Sequence, residues 1–179
     1  MRSFFLFFFL IFSIGSIHAE NLKPSKGIIA TSNPYASKAA YEVIKNGGNA
    51  IDASIAVQLV LTLTEPQATG IGGGAFMLYW DAKKSKLFSI DGREKAPSLA
   101  SEDLFLNKDG KNIKFYPDAV VGAKSVGVPG IIRLLEETHK KFGKLEWSEL
   151  FTYAIELSEN GFSISPALHN TLGYLNYLK

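Results

Sequence analysis

Apolar positions along this chain change period several times, and each change marks an element. Phe4 to Phe12 is an almost unbroken apolar run. Gly27 to Thr31 is short, apolar and β-branched, which predicts a buried strand. Helical spacing follows, with Ala36, Ala39, Ala40, Val43 and Ile44 on one face. Pro34 sits in the first turn of that helix, where its missing N–H is harmless. Asn46-Gly47-Gly48 stops it. Ala50 to Thr64 is apolar nearly all round, the pattern of a helix at the centre of a domain. Asn49 is its predicted cap, Asp52 favours its N-terminus, and Glu65-Pro66 ends it.

Strand patterning comes next. Ala75 to Trp80 and Lys86 to Ile90 predict a hairpin across the polar turn Asp81 to Ser85. Ala96 to Asp118 has no clear period and reads as a long surface loop. Ala119 to Gly122 and Ser125 to Val128 predict a second strand-like pair. Pro129 opens a helix through Phe142, ended by Gly143. Trp147 to Ser158 predicts another amphipathic helix, and Ser165-Pro166 caps a last one. Helices and strands are mixed, so the class is α/β or α+β.

Composition sharpens this outline. The chain has 179 residues, enough for one domain with a real core. Met1-Arg2, the apolar run and the small residue in Ile17-His18-Ala19 together form a secretory signal peptide over residues 1–19, with cleavage after Ala19. The run is short for a spanning helix, so no stable membrane span is expected after cleavage. A periplasmic or secreted location follows. Cysteine is absent, which rules out disulfides, thiol catalysis and a lipidated N-terminus. Net charge is +2, falling to +1 without Arg2, and that is no footprint for nucleic acid. The three histidines, His18, His139 and His169, are isolated, so no metal cluster is expected. No P-loop occurs either, and no cofactor is indicated.

Two features carry candidate chemistry. Gly70-Ile71-Gly72-Gly73-Gly74 places four glycines in five residues, where backbone can pass close to another group. It leaves two readings: a loop whose N–H groups approach a ligand, or tight packing of the buried helix on a strand. Arg93, in Asp91-Gly92-Arg93-Glu94 at the end of the hairpin, also has two readings. It either pairs with Asp91 or Glu94 at the surface, or grips a carboxylate with its planar fork. A nucleophile is harder to find. There is no G-x-S-x-G elbow. Thr138-His139 lies within a charged helix, where neighbours point to different faces, and reads as surface decoration. Glu136-Glu137 reads as a solvated face, and Tyr174 and Tyr177 as packing groups.

In order along the chain, several pieces resemble the γ-glutamyltransferases (γ-glutamyl transpeptidases, glutathione hydrolases). They are Ala30-Thr31-Ser32-Asn33-Pro34, Gly47-Gly48-Asn49-Ala50-Ile51-Asp52-Ala53, Glu65-Pro66, Gly70 to Met77 and Asp91-Gly92-Arg93-Glu94. Val126-Gly127-Val128-Pro129-Gly130, Tyr153-Ala154-Ile155 and Glu159-Asn160-Gly161-Phe162 continue the match. The resemblance is to the N-terminal part of the large subunit and covers essentially residues 20–179. It implies an α+β fold, the N-terminal-nucleophile hydrolase αββα sandwich, incomplete in this chain. It also implies a precursor that cuts itself into large and small subunits, the new N-terminal threonine of the small one attacking a γ-glutamyl amide such as that of glutathione. By the motif match Arg93 is the arginine that holds the substrate's α-carboxylate.

The resemblance leaves the catalytic threonine, the oxyanion donors and the rest of the large subunit outside this sequence. No catalytic residue is therefore assigned here, Lys179 resembles a truncation point, and the chain alone is expected to be inactive. The remainder of the large subunit and the small subunit are the expected partners. An inactive remnant, a γ-glutamyl-binding module, and a related acylase or poly-γ-glutamate-processing enzyme are the competing readings. A chain missing half its sandwich is expected to expose apolar surface and unpaired edges, and to aggregate or stay loose.

Overall fold

A computed structural model describes residues 27–177 of the chain. The signal peptide expected over residues 1–19 lies outside the described residues. Two helices come first, α1 (Pro34–Lys45) and α2 (Ala50–Thr64), followed by a hairpin of β1 (Ala75–Asp81) and β2 (Lys86–Gly92). A long irregular stretch leads to α3 (Ile131–Phe142), α4 (Thr152–Asn160) and α5 (Pro166–Tyr177).

Local chemistry sets the helix starts. The Asn33 side chain accepts the Tyr35 N–H (3.0 Å), and Pro34 occupies the first turn of α1. Asn49 and Asp52 form a reciprocal capping box. Asn49 Oδ1 accepts from the amides of Ile51 (2.8 Å) and Asp52 (3.1 Å), and the Asn49 amide donates to Asp52 Oδ2 (2.9 Å). Ser165 Oγ accepts the Leu168 N–H at the start of α5, as Ser165-Pro166 predicts.

The all-round apolar character of α2 has a simple cause: it faces two cores. One side, through Ile51, Ile55 and Leu59, meets Ile131, Leu134 and Leu135 of α3, together with Leu150. The other, through Ala56 and Val60, meets Ala36 and Ala39 of α1 and Leu157 of α4. The alanines let α1 and α2 pack closely, so the helical layer closes on itself.

The hairpin lies against the first core with one face. Its register pairs Ala75 with Gly92 and Asp81 with Lys86. Met77, Tyr79 and Ile90 point inward, and Phe142 packs on Tyr79 and Phe88 with ring centroids 4.8 Å apart in each case. The outward face carries Phe76, Leu78, Trp80 and Leu87, all exposed. Among the described residues the architecture is therefore one helical layer on one side of a two-stranded sheet.

Several expectations are corrected. Gly27 to Thr31 forms no strand, and Ile28 is exposed; an apolar β-branched run becomes a strand only beside a ladder partner. The expected strand pair over 119–128 is instead a π-helical turn, Phe115–Ala119, and a 3-10 turn, Ala123–Ser125. Only Val128 there joins a bridge, to Lys95. Helix α3 starts at Ile131 rather than Pro129, and Trp147–Phe151 is a 3-10 turn leading into α4. Ile44 and Tyr174 are exposed rather than packed.

Candidate functional site

Arg93 follows β2 directly, so the sheet ladder fixes where its backbone emerges. The Asp91 carboxylate accepts the Arg93 N–H (2.9 Å) and closes a short turn. Arg93 Nε donates to Glu94 Oε2 (3.1 Å), which is the surface pairing the sequence allows. The side chain is nonetheless 68% exposed. Among the described residues Nη1 and Nη2 have no hydrogen-bond or ion-pair partner. That pair is the edge of a guanidinium that takes a carboxylate end-on.

Beside Arg93 a cleft of about 630 Å³ opens between the end of β2 and α3. Lys95 and Arg133 add positive charge to its lining, and Asp91 and Glu137 add negative charge. Opposite charges within one cleft suit a zwitterionic ligand better than a simple anion. The described lining carries no hydroxyl, thiol or imidazole group. Its charged groups can hold and orient a ligand. Sequence reasoning missed Lys95, Arg133 and Gly130 here. Arg133 could not be found from its helix, since only the docking of α3 beside the end of β2 brings it to the cleft.

The glycine loop sits between this site and the helical layer. Gly73 O accepts N–H groups from Gly130 (3.1 Å) and Ile131 (3.2 Å), docking the loop on the start of α3. Its stem is anchored by Glu65, which is buried at the C-terminus of α2. Asn33 Nδ2 donates to Glu65 Oε1 (2.7 Å) and Gln67 Nε2 to Oε2 (2.6 Å). The Asn33 bond foremost, with help from Gln67 and Ser165, holds the Glu65 carboxyl below its usual range although burial opposes this. Packing, one of the two readings of the loop, is thus present in the fold.

Thr138 and His139 correct another expectation. Neither is surface decoration. Thr138 is buried with its hydroxyl bonded to Leu134 O, and His139 Nε2 donates to Leu145 O (2.9 Å) against the Trp147 ring. Neighbours on a helix do point apart, yet α3 is covered on more than one side, by α2 and by β2. His139 also lies 3.7 Å from Asp52, a fully buried carboxylate that accepts the amides of Lys144 and Leu145. Glu136, by contrast, is solvated and pairs with Lys140 at 2.7 Å. Tyr177 closes α5.

The family model for γ-glutamyltranspeptidase matches residues 36–176. The chain belongs to the γ-glutamyltranspeptidase family. It is 43% identical to a glutathione hydrolase proenzyme of Bacillus subtilis, over 84% of this chain and 28% of that protein. Against a γ-glutamyltranspeptidase of Pseudomonas nitroreducens complexed with L-DON, the TM-score is 0.79 at 39% identity, covering 85% of this chain and 44% of that one. Against the Helicobacter pylori γ-glutamyltranspeptidase it is 0.78 at 37% identity, with 83% and 42% covered. The chain thus spans about 28% of the length of the first curated relative and corresponds to the N-terminal part of the large subunit. The α+β architecture is part of the N-terminal-nucleophile hydrolase fold of these γ-glutamyltranspeptidases. Among the described residues no helix is long and apolar enough to cross a membrane.

Proposed function

We propose that this chain supplies the carboxylate-binding part of an exported γ-glutamyltransferase. Residues 1–19 direct export and residues 20–179 form part of the large subunit. The donor is a γ-glutamyl amide such as glutathione. Arg93 takes the α-carboxylate on its free Nη edge, which sets the distance from that anchor to the γ-carbonyl. A threonine of the small subunit then attacks this carbonyl, the amide C–N bond breaks, and the amine leaves with a proton. Water or an acceptor amine takes the acyl group from the threonine. The remainder of the large subunit and the small subunit would cover the apolar outer face of the hairpin. The observation that carries the reading is Arg93, exposed, with an open two-pronged edge, beside a cleft lined by charges of both signs.

The test combines intact mass with γ-glutamyl-anilide hydrolysis on the exported protein from its natural source. A processed heterodimer with activity is expected. In it Arg93→Ala should lower kcat/KM about 100-fold, the loss of one charge-assisted pair of ~1.5–3 kcal/mol. A single species near the mass of residues 20–179, without activity, would instead mean an inactive remnant or binding module.

A further inference from the structure

The backbone around Arg93 is enclosed by glycines that come from two distant parts of the chain. A Cβ on Gly74 would stand 2.8 Å from Arg93 Cα and 2.8 Å from Glu94 N. A Cβ on Gly130 would stand 2.7 Å from Arg93 O and closer still to Gly92 O. Real Cβ atoms essentially never approach heavy atoms that closely, and the neighbours here are backbone, which cannot swing aside. The two glycines therefore both pack on the Arg93 backbone, Gly74 at its Cα and the amide nitrogen that follows, Gly130 at the carbonyl oxygens of Gly92 and Arg93. Gly73 O ties the two arms together by accepting the Gly130 and Ile131 amides.

Glu94 is held by the same device. A Gly74 Cβ would meet Glu94 Oε2 at 2.5 Å, and a Gly127 Cβ would meet Glu94 Cβ at 2.8 Å. Glu94 Oε2 is the atom that takes Arg93 Nε. Just beyond, Lys95 and Val128 exchange both backbone hydrogen bonds (3.2 and 2.8 Å). Backbone position and guanidinium orientation thus share one source. We propose that Gly74 and Gly130 are positioning residues that set where Arg93 presents its fork, with Gly127 acting through Glu94. This rests on the reading of Arg93 as the α-carboxylate clamp.

The experiment uses the complete processed enzyme and two donors, a γ-glutamyl anilide and the 4-aminobutyryl anilide that lacks only the α-carboxylate. The readout is the ratio of their kcat/KM values, together with KM and kcat for each. Arg93→Ala should bring the ratio close to unity; a ratio left at the wild-type value sinks the clamp reading itself. With the clamp intact, Gly74→Ala and Gly130→Ala should each lower the ratio about tenfold or more, chiefly through KM for the γ-glutamyl donor. The 4-aminobutyryl donor should stay within about twofold of wild type. Arg93→Ala collapsing the ratio while both glycine variants keep it would overturn the positioning role alone. Equal loss on both donors would overturn it too, since the glycines would then serve general folding. Gly127→Ala is the milder variant and carries the test if the others do not yield processed enzyme. Its ratio should fall about threefold, and an unchanged ratio there overturns the proposal.

Discussion

Ile55 on α2 is completely buried, whereas Leu78 on β1 is 73% exposed. The two side chains are similar in size and hydrophobicity, yet the helices enclose the first and the hairpin leaves the second outside. Helices α1 to α4 build two contiguous cores, and polar staples reinforce them. The hairpin has one face on those cores and a second, with Phe76, Leu78 and Trp80, turned outward. A run that is apolar on both faces belongs to a sheet covered on both faces. The helical layer holds both cores, and the hairpin adds one covered face and one open one. Arg93 sits where the two meet.

The contrast can be broken hardest at Asp52. Its carboxylate takes amides from Asn49, Lys144 and Leu145 in full burial, so Asp52→Ala strands several donors at once. A loss of about 3–5 kcal/mol is expected, read as faster hydrogen exchange at Lys144 and Leu145 in the complete enzyme. Exchange at the wild-type rate would show that the helical layer does not depend on this staple.

A paired substitution sharpens the same comparison. Ile55→Ala should destabilise the complete enzyme by about 2–5 kcal/mol. Leu78→Asp should behave oppositely in the two settings. It should leave the isolated chain's own packing alone and reduce its dye binding and light scattering, because it breaks an apolar patch. In the complete enzyme it should block subunit assembly, measured by gel filtration. Assembly unaffected by Leu78→Asp would mean the outer face is not an interface.

Acid gives a smaller, graded effect on the helical side. The folded Glu65 carboxyl is held low, chiefly by Asn33, so its contribution is present above the unfolded glutamate range near ~4.3 and is lost as pH falls through the lower folded value. Glu65→Gln should flatten the acid limb of a denaturation-versus-pH series. An identical acid limb in the variant would remove Glu65 from the account. The smallest effect is expected at Gly72, where a Cβ meets nothing within 4 Å. Gly72→Ala should shift the denaturation midpoint of the described fold by less than about 0.5 kcal/mol equivalent, against a clear shift for Gly74→Ala.

Legibility in the sequence followed the range of the interaction. Asn33, Asn49 with Asp52, and Ser165 act within a few residues, so the helix starts could be read directly. The all-apolar α2 announced a central helix because two cores need two faces. Val120, Val121, Val126 and Val128 misled in the opposite way. Their strand-like pattern is sound, but all four are exposed, and the single bridge from Val128 to Lys95 is too little ladder to make a strand. Around Arg93 the residue type and place were readable. The contact of Gly130 and the approach of Arg133 were not, since they arise only when α3 folds back onto the hairpin.

Helix α3 begins at Gly130, which offers no side-chain cap, and its first amides bond instead to Gly73. A twelve-residue helix is marginal on its own, and this one also lacks a local start signal. Its first turn is completed by the glycine loop that leads into β1. The wall of the cleft that α3 forms is thus held at its start by the glycine loop as well as by the helix itself.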